Sequence, residues 1–290
     1  MNIQQIIPDQ YPFLLKQITQ LPKKMYMAGP LPPDDYKYLC VIGARAYSEY
    51  GRDVCRKLIA GLRGYPIVIV SGLAIGIDSL SHEAALSAGL RIVAFPGSGL
   101  SEYALYPIRH RQLAKQIYDS GNTLFSPFDM EQEATPWTFP YRNRLMAGIS
   151  HATLIIEARH GSGTLITAEY AAEFNRDILT VPGSIMADLS YGPHMLLKRG
   201  AALIESSEDI LENLGFEVTR SSGQQKLLNF AELSLTPEER KVLELVATPV
   251  GRDNLVRQLN ISVIKANVLL GNLELRGLIR ESGSGVVSLV

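Results

Sequence analysis

The sequence predicts an α/β fold in which a parallel β-sheet carries helices on both faces, followed by a small C-terminal winged-helix domain. Over residues 37–215, short β-rich runs alternate with helical segments, which is typical of a parallel sheet. Runs such as 67–70 and 153–156 are continuously apolar, as expected for strands that are buried on both faces. The strands are predicted at 38–42, 67–70, 91–95, 122–125, 153–156, 178–181 and 201–204, and the helices at 48–62, 78–88, 109–119, 142–150, 164–175 and 207–214.

The flanking segments differ in composition from this alternating region. Residues 1–36 are rich in proline and are predicted to form an irregular lead-in with one short helix near 13–20. Residues 216–234 are polar and are predicted to be a linker. The remaining residues, 235–290, begin with Thr236 as a helix N-cap, and three helices followed by a strand–turn–strand pattern indicate a winged helix-turn-helix. These helices are predicted at 237–247, 252–259 and 262–276.

The composition limits the classes of function that the chain can have. With 290 residues, of which 46% are hydrophobic and 20% charged, the chain can bury a large core, and wholesale disorder is excluded. The net charge of −1 excludes a protein that coats polyanions by its bulk charge, so any nucleic-acid site must be a local patch. The tail, residues 216–290, carries 9 Lys and Arg against 8 Asp and Glu, a small excess for a module that reads DNA grooves.

Metals, membranes and secretion are disfavoured by the same sequence. Cys40 and Cys55 are the two cysteines, and neither belongs to a CxxC motif or a Cys/His cluster, so no metal site is predicted. The first residues lack the basic and apolar regions of a signal peptide. The longest apolar stretch, near 67–77, is too short to span a bilayer, which takes about 20 residues. We therefore expect a cytoplasmic protein with no membrane partner.

A first candidate binding loop follows the strand 38–42. Gly43 allows a tight turn there, and Arg45 places a cation where open α/β sheets bind their ligands. The loop is not a GxGxxG motif, and no acidic residue follows at the ribose-binding spacing, which disfavours a dinucleotide cofactor. An ordinary turn with a solvated arginine remains the alternative.

A second candidate loop joins the next strand to a helix. Ser71, Gly72 and Gly76 lie in it, and backbone N–H groups at a helix start can form an anion site. Asp78 is interpreted as the N-cap or first-turn acid of that helix. His82 lies one turn later on the same face, where it either serves a phosphate or packs within the fold.

A third candidate combines rings and cations at a predicted helix start, within residues 137–144. Arg142 and Arg144 flank Asn143, and Phe139 is one of three aromatic residues just before them. Guanidinium groups bind phosphate bidentately, and aromatic rings offer stacking faces for bases. This interleaving favours a single-strand nucleic-acid site; ordinary core aromatics at a helix start are the alternative.

A fourth candidate is the Gly-Ser-Gly-Thr loop after the strand 153–156. Ser162, Gly163 and Thr164 lie at a strand-to-helix junction, which suits a phosphate. No Walker lysine follows, so the loop is not a P-loop. Glu169 could act in a hydrolase, although a carboxylate in the middle of a helix is usually a surface residue.

These motifs, in this order, resemble the DprA/Smf family, the DNA-processing proteins of bacterial transformation. The resemblance covers about residues 9–215, and the tail resembles the winged-helix module that many members carry. The residues that carry it are 41–45, 71–78 with His82, 96–100 with Tyr106 and Pro107, 139–144, 147–150, 157–158, 162–168 and 181–184.

The resemblance implies a function for the predicted sheet. It implies that residues 37–215 form a Rossmann-like domain that binds single-stranded DNA, protects it and loads the RecA recombinase onto it, with no catalytic step and no cofactor. It also implies a homodimer through the C-terminal side of this domain, near 190–214. The DNA-binding positions implied here are Gly43, Arg45, Ser71, Gly72, Gly76, Phe139 as a stacking ring, Arg142, Asn143, Arg144, Ser162, Gly163 and Thr164.

The sequence departs from the family pattern at two places. Thr138 stands where members commonly have His or Arg, and residues 192–197 include His194 where the family pattern has Asn-x-Leu-Ile. The second departure lies near the expected dimer and recombinase surface.

An enzyme is the alternative, because the Rossmann-like domain also resembles that of nucleotide-processing phosphoribohydrolases. Such a nucleotide-binding hydrolase would use Glu169 or Asp78 with the loop 162–164. It would need a closed pocket with a carboxylate beside the phosphate site, whereas a strand binder needs an open basic groove with exposed rings.

Overall fold

A computed structural model describes residues 1–33, 35–218, 235–246, 250–282 and 285–289. The chain divides into two compact units, residues 1–219 and residues 220–290. Most of the predicted linker 216–234 lies outside the described residues.

The larger unit contains one nine-stranded sheet whose strand order is β1-β2-β6-β5-β4-β3-β7-β8-β9. All neighbours from β6 to β9 are parallel, whereas β1 and β2 are added antiparallel beside β6. The strands are β1 (Ile3–Ile6), β2 (Met25–Ala28), β3 (Lys37–Ile42), β4 (Ile67–Ser71), β5 (Arg91–Ala94), β6 (Thr123–Ser126), β7 (Ala152–Ile155), β8 (Asp177–Thr180) and β9 (Ala202–Leu203).

Seven α-helices in the described residues of this unit cover both faces of the sheet. They are α1 (Glu49–Ala60), α2 (Ile77–Ala88), α3 (Arg111–Asp119), α4 (Thr138–Ile149), α5 (Gly163–Glu173), α6 (Tyr191–Lys198) and α7 (Ser207–Asn213). The predicted α/β fold with a mostly parallel sheet is thus confirmed.

The two faces of strand β3 illustrate why its sequence is continuously apolar. Leu39 and Val41 pack into a cluster with residues of α1 and α2, whereas Cys40 and Ile42 pack into a second cluster with residues of α4. All four side chains are buried, so each face of the strand contributes to a separate core layer. A strand covered on both sides has no polar face, and the alternation typical of half-exposed strands is therefore missing.

The prediction that residues 1–36 are irregular was wrong at two places, where the chain forms strands. Residues 3–6 and 25–28 form β1 and β2, which extend the sheet beyond β6. Between them, the predicted helix near 13–20 is reduced to a short 3-10 turn at Leu15–Gln17. The strands have four residues each: β2 pairs with β6, about a hundred residues away in sequence, and β1 pairs with β2, so local pattern could not reveal them.

The smaller unit has the three helices and the antiparallel strands predicted for a winged helix. Its elements are α8 (Pro237–Leu245), β10 (Val250–Gly251), α9 (Arg252–Leu259), α10 (Val263–Leu275), β11 (Ile279–Glu281) and β12 (Val286–Leu289), with sheet order β10-β12-β11. Thr236 caps α8 as predicted: its hydroxyl accepts the Glu239 N–H, and the Glu239 carboxylate accepts the Thr236 N–H at 2.7 Å. No helix in the described parts of the chain is long and apolar enough to cross a membrane.

Helix α2 begins with a tightly constrained turn and buries two ionisable groups. Gly76 adopts φ 103° at its N-cap, and a Cβ there would lie 2.3 Å from the Ala44 carbonyl oxygen. Asp78 lies in the first turn, as predicted, and is buried. His82 follows one turn later and is completely buried, so of its two predicted roles the packing role is the one that the structure supports.

We predict that His82 makes the stability of the larger unit depend on pH. Burial lowers the pKa of His82 to about 3, whereas a histidine in the unfolded chain has a pKa near 6.5. Between these values the unfolded chain binds more protons than the folded one, so the free energy of unfolding falls as the pH decreases through this window. Between pH 7 and pH 5 this loss should be on the order of 1–2 kcal/mol.

The His82→Leu variant removes the titrating ring from the same site. Urea unfolding of wild type and variant at several pH values should show a smaller loss of stability below pH 7 in the variant. His151, whose pKa burial also lowers, to about 4, is present in both proteins and cancels in the comparison. Parallel pH profiles for the two proteins would contradict the assignment.

Candidate nucleic-acid interface

An open crevice lies at the edge of the sheet where the parallel strands end. Strands β3 and β7 are neighbours there, yet the chain proceeds from β3 toward β6 on one side and from β7 toward β9 on the other. Such a reversal of strand order leaves a gap between the loops, and open α/β sheets bind ligands at this point. The cavity has a volume of about 420 Å³. Its walls come from the loops after β3, β4 and β7 and from the start of α4.

Arg142 forms the floor of this crevice and is only 4% exposed. One guanidinium nitrogen donates to the backbone carbonyls of Gly72 and Phe95, at the ends of β4 and β5. Beside it, the Asp78 carboxylate accepts the Gly72 N–H at 3.1 Å. Burial raises the pKa of Asp78, and the positive charge of Arg142 opposes that rise. Arg142 therefore holds two loops in place, a role that the sequence analysis did not foresee.

Arg144 was expected to bind phosphate beside Arg142, and the structure places it elsewhere. Residues two apart on a helix point in nearly opposite directions, so the two guanidinium groups cannot face one crevice. Arg144 is 5% exposed, and it donates to the Gln20 carbonyl at 3.0 Å and to the Thr19 hydroxyl at 3.1 Å. It fastens the N-terminal segment to α4 and does not line the crevice.

The rim of the crevice brings a cation and an aromatic ring together. The guanidinium carbon of the exposed Arg45 lies 5.6 Å from the centroid of the half-buried Phe139 ring. On another side of the ring, a Cβ at Gly97 would approach within 2.7 Å, so glycine lets the ring settle against the loop after β5. Tyr106 contacts the same ring at a centroid distance of 5.9 Å. These contacts fix the position of Phe139 while part of it stays accessible.

The Gly-Ser-Gly-Thr loop forms the opposite wall, with its hydroxyl groups engaged inside the protein. The Ser162 hydroxyl caps α5 by accepting the Thr164 N–H at 3.2 Å. The Thr164 hydroxyl donates to the Gly43 carbonyl at 3.1 Å and so ties this loop to the one after β3. Gly163 is exposed at the start of α5, next to the side chain of Asn143. The loop therefore offers a ligand its backbone more than its hydroxyl groups.

Of the predicted residues, eight line the crevice: Gly43, Arg45, Phe139, Arg142, Asn143, Ser162, Gly163 and Thr164. Gly72 and Gly76 instead shape the loop beside it. Ser71 is buried, and its hydroxyl donates to the Val41 carbonyl at 2.6 Å, so it belongs to the sheet.

Two residues of the crevice, an arginine and a histidine, were missed by the sequence analysis. Arg159 and His160 line it from the loop after β7, and both are exposed. The His160 ring packs edge-on against Tyr191 at a centroid distance of 4.8 Å. Their position just before the Gly-Ser-Gly-Thr loop could have identified them as crevice residues, because the loop after β7 lies at the same edge of the sheet as Arg45.

Acidic groups are arranged so that they do not face the open part of the crevice. Among the described residues that line it, Asp78 is the only acid, and its side chain is buried against Gly72. Glu157 is buried behind the wall, where it accepts the Ser48 hydroxyl at 2.5 Å and the Ser48 N–H at 3.0 Å. Glu169 is exposed and does not line the crevice. The described residues contain no group of three or more His, Cys, Asp or Glu side chains placed to hold a metal ion.

Comparison with known proteins matches both units to one family. The profile of the family described as DNA recombination-mediator protein A matches residues 2–215, and that of the DprA winged helix domain matches residues 229–285. The chain is 38% identical over 206 residues to Protein Smf of Escherichia coli, covering 71% of this chain and 54% of that protein. It is 37% identical over 211 residues to DNA processing protein DprA of Streptococcus pneumoniae, covering 73% of each.

Solved structures show the same relationship. The X-ray structure of DprA from Streptococcus pneumoniae superposes with a TM-score of 0.69 at 35% identity and covers 75% of both chains. DNA processing protein A from Helicobacter pylori, solved to describe its single-stranded DNA binding mode, shares the fold with a TM-score of 0.66 at 23% identity. That match covers 73% of this chain and 95% of the other. Because the family profile spans nearly the whole larger unit, this chain belongs to the DNA recombination-mediator protein A family.

Proposed function

We propose that the crevice at the carboxyl edge of the sheet binds single-stranded DNA. The observation that carries this proposal is the contact of Arg45 with Phe139, which places a phosphate-binding cation beside a stacking ring. Arg159 adds a second exposed cation on the opposite wall. The single-stranded DNA binding described for the Helicobacter pylori relative supports the same assignment.

The shape of the site favours single strands over duplex. Phe139 is half-buried at the rim and contacts Arg45, and a base that stacks on it must first unstack from a neighbouring base. Bases of a single strand can turn outward and stack on such a ring, whereas those of a duplex are held in the helix. The cations at the rim contact phosphates of either form and carry little sequence information.

We propose binding without turnover as the function of this crevice. A hydrolase needs a general base within hydrogen-bond reach of its water or leaving group. The buried Asp78 already accepts the Gly72 N–H, and Glu169 is exposed outside the crevice. These placements give no support to the alternative of a nucleotide hydrolase.

We further propose that the protein protects the bound strand and transfers it to the RecA recombinase. We also propose that it acts as a homodimer in the cytoplasm. The description of the family as recombination mediators supports the recombinase role. Exposed apolar side chains near the expected dimer region support an interface between copies: Ile185 and Met186 precede α6, and Leu203 lies on the edge strand β9. In the same region, His194 contacts the Gly183 carbonyl at 3.0 Å, so this departure from the family pattern is integrated into the fold.

The smaller unit is proposed to contribute little to DNA affinity. Helix α10 occupies the position of the groove-reading helix in a helix-turn-helix, yet its exposed face carries apolar side chains. These are Val263, Ile264, Val268 and Leu275. Its cation Lys265 is paired with Glu238 at 2.6 Å, and Arg276 just after it is paired with Glu239 at 2.9 Å.

The arginines of the larger unit allow a direct test of the crevice. Arg45→Ala should weaken binding of a fluorescent oligo-dT and lower the salt slope by about 0.7, the value for one phosphate contact on a single strand. Arg144→Ala should leave the slope unchanged and lower thermal stability, because it loses its contacts to the N-terminal segment. Lys57→Ala, an exposed cation on α1, serves as a matched control.

Fluorescence polarisation across a salt series, with the same sequence as single strand and as duplex, provides the measurement. Wild type should prefer the single strand. Equal slopes for wild type and Arg45→Ala, or a slope that falls only in Arg144→Ala, would contradict the assignment.

A deletion of residues 220–290 should leave single-strand affinity within about twofold of wild type, which corresponds to roughly 0.4 kcal/mol of binding free energy. The larger unit is compact by itself, and Arg252, Lys265 and Arg276 of the tail are paired with glutamates. Circular dichroism establishes that the shortened chain is folded before affinity is compared. A folded fragment that has lost its affinity would show that the tail forms part of the DNA site.

A further inference from the structure

A second exposed patch lies beside the crevice on the segment between β5 and α3. Tyr103 is 86% exposed and Ile108 is 68% exposed, and Tyr106 and Arg109 are also exposed. We call these four residues the tyrosine shelf. The function proposed above gives none of them a contact with DNA, and Tyr106 enters it only as a neighbour of Phe139.

The shelf is held firmly against the loops that form the crevice. The Tyr106 ring contacts Phe139, and the Tyr106 N–H donates to the Ser98 hydroxyl at 3.0 Å in the loop after β5. At its other end, His110 Nδ1 lies 2.8 Å from the Leu73 carbonyl in the loop after β4. The Tyr106 ring is therefore the direct neighbour of Phe139, the proposed stacking ring of the crevice.

The backbone of the shelf is also braced from within. Arg111 donates through Nε to the Leu105 carbonyl at 3.1 Å and through a terminal nitrogen to the Tyr103 carbonyl at 2.5 Å. A segment whose backbone is fixed in this way while its large side chains remain in water is suited to a ligand. Because the backbone beneath them is already ordered, these rings lose only side-chain freedom when a base stacks on them.

The chemistry of the shelf fits a nucleic-acid strand. Sequence-tolerant single-strand sites combine aromatic rings on which bases stack with cations that contact the backbone. Tyr103 and Tyr106 supply rings, and Arg109 supplies a cation that complements phosphate. Two acids lie next to the shelf: Glu102 is exposed beside Tyr103, and the exposed Glu131 accepts the Ser101 hydroxyl at 3.0 Å, so both charges oppose an approaching phosphate.

We propose that the tyrosine shelf is a second subsite for single-stranded DNA, which receives the strand as it leaves the crevice past Phe139. This inference rests on the proposed function of the crevice and adds the direction in which the strand runs. A strand long enough to fill both subsites contacts Phe139, then Tyr106, then Tyr103, with Arg109 neutralising a phosphate. A strand that fills only the crevice does not reach Tyr103 or Arg109.

Strand length separates the two subsites in an experiment. We compare oligo-dT of about 4 nucleotides with oligo-dT of about 15 nucleotides, the range that single-strand folds commonly cover. The variant Tyr103→Ala/Arg109→Ala should bind the longer strand roughly tenfold more weakly and the shorter strand as wild type does. Phe13→Ala, which removes an exposed ring from the N-terminal segment, is the matched control and should change neither affinity.

Glu102→Gln gives a test of opposite sign. Removing this charge should tighten binding of the longer strand at low salt and leave the shorter strand unaffected. Thermal unfolding of each variant establishes that the fold is retained.

The proposal is overturned if the double variant binds both lengths as wild type does, or weakens both equally. A shelf that serves a protein partner would give the first of these results. If wild type binds neither oligonucleotide, the crevice itself is not a DNA site and the proposed function fails first. If wild type binds both lengths and the double variant binds each with wild-type affinity, the shelf is excluded as a DNA subsite while the proposed function of the crevice stands.

Discussion

The crevice depends on the hydrogen bonds that the buried guanidinium of Arg142 donates to two backbone carbonyls. Placing an ion inside a protein costs several kcal/mol unless its hydrogen bonds and charge are matched. Here the carbonyls of Gly72 and Phe95 accept from it, and the carboxylate of Asp78 lies beside it. Because these partners come from the ends of β4 and β5 and the start of α2, one side chain of α4 fixes the relative positions of several loops. Loss of Arg142 would remove the positive charge that opposes the burial-driven rise of the Asp78 pKa.

The topology of the sheet explains why the remaining groups meet at this place. The chain reverses its direction of travel across the sheet between β6 and β7, so the loops after β3 and β7 face each other across a gap. Thr164 bridges that gap through the Gly43 carbonyl, and Arg45 and Arg159 lie on its two sides. The N-terminal strands take no part in the crevice, but Arg144 links their connecting segment to the same helix that carries Arg142 and Phe139.

Much of this arrangement could be predicted from the sequence, because it is encoded locally. Buried parallel strands have continuous apolar runs, and Gly-bearing loops mark their ends, so both the sheet and most of the crevice followed from pattern. The roles of Arg142 and Arg144 did not follow, because the helix was predicted to begin at 142 and actually begins at Thr138, with Pro140 in its first turn. The N-terminal strands could not be predicted because their conformation comes from long-range pairing, of β2 with β6 and of β1 with β2. Arg159 precedes the glycines of its loop and belongs to no motif that marks a binding site by itself.

Photo-crosslinking tests the central claim that this crevice holds single-stranded DNA. An oligo-dT substituted with 5-bromodeoxyuridine is bound to the full chain and irradiated, and the crosslinked peptides are identified by mass spectrometry. Since crosslinks form at aromatic side chains that touch the base, the account predicts crosslinks on the peptide that contains Phe139, and their loss when excess unlabelled single strand competes. Crosslinks confined to residues 235–290, with none on the Phe139 peptide of a chain that binds the oligonucleotide, would contradict it.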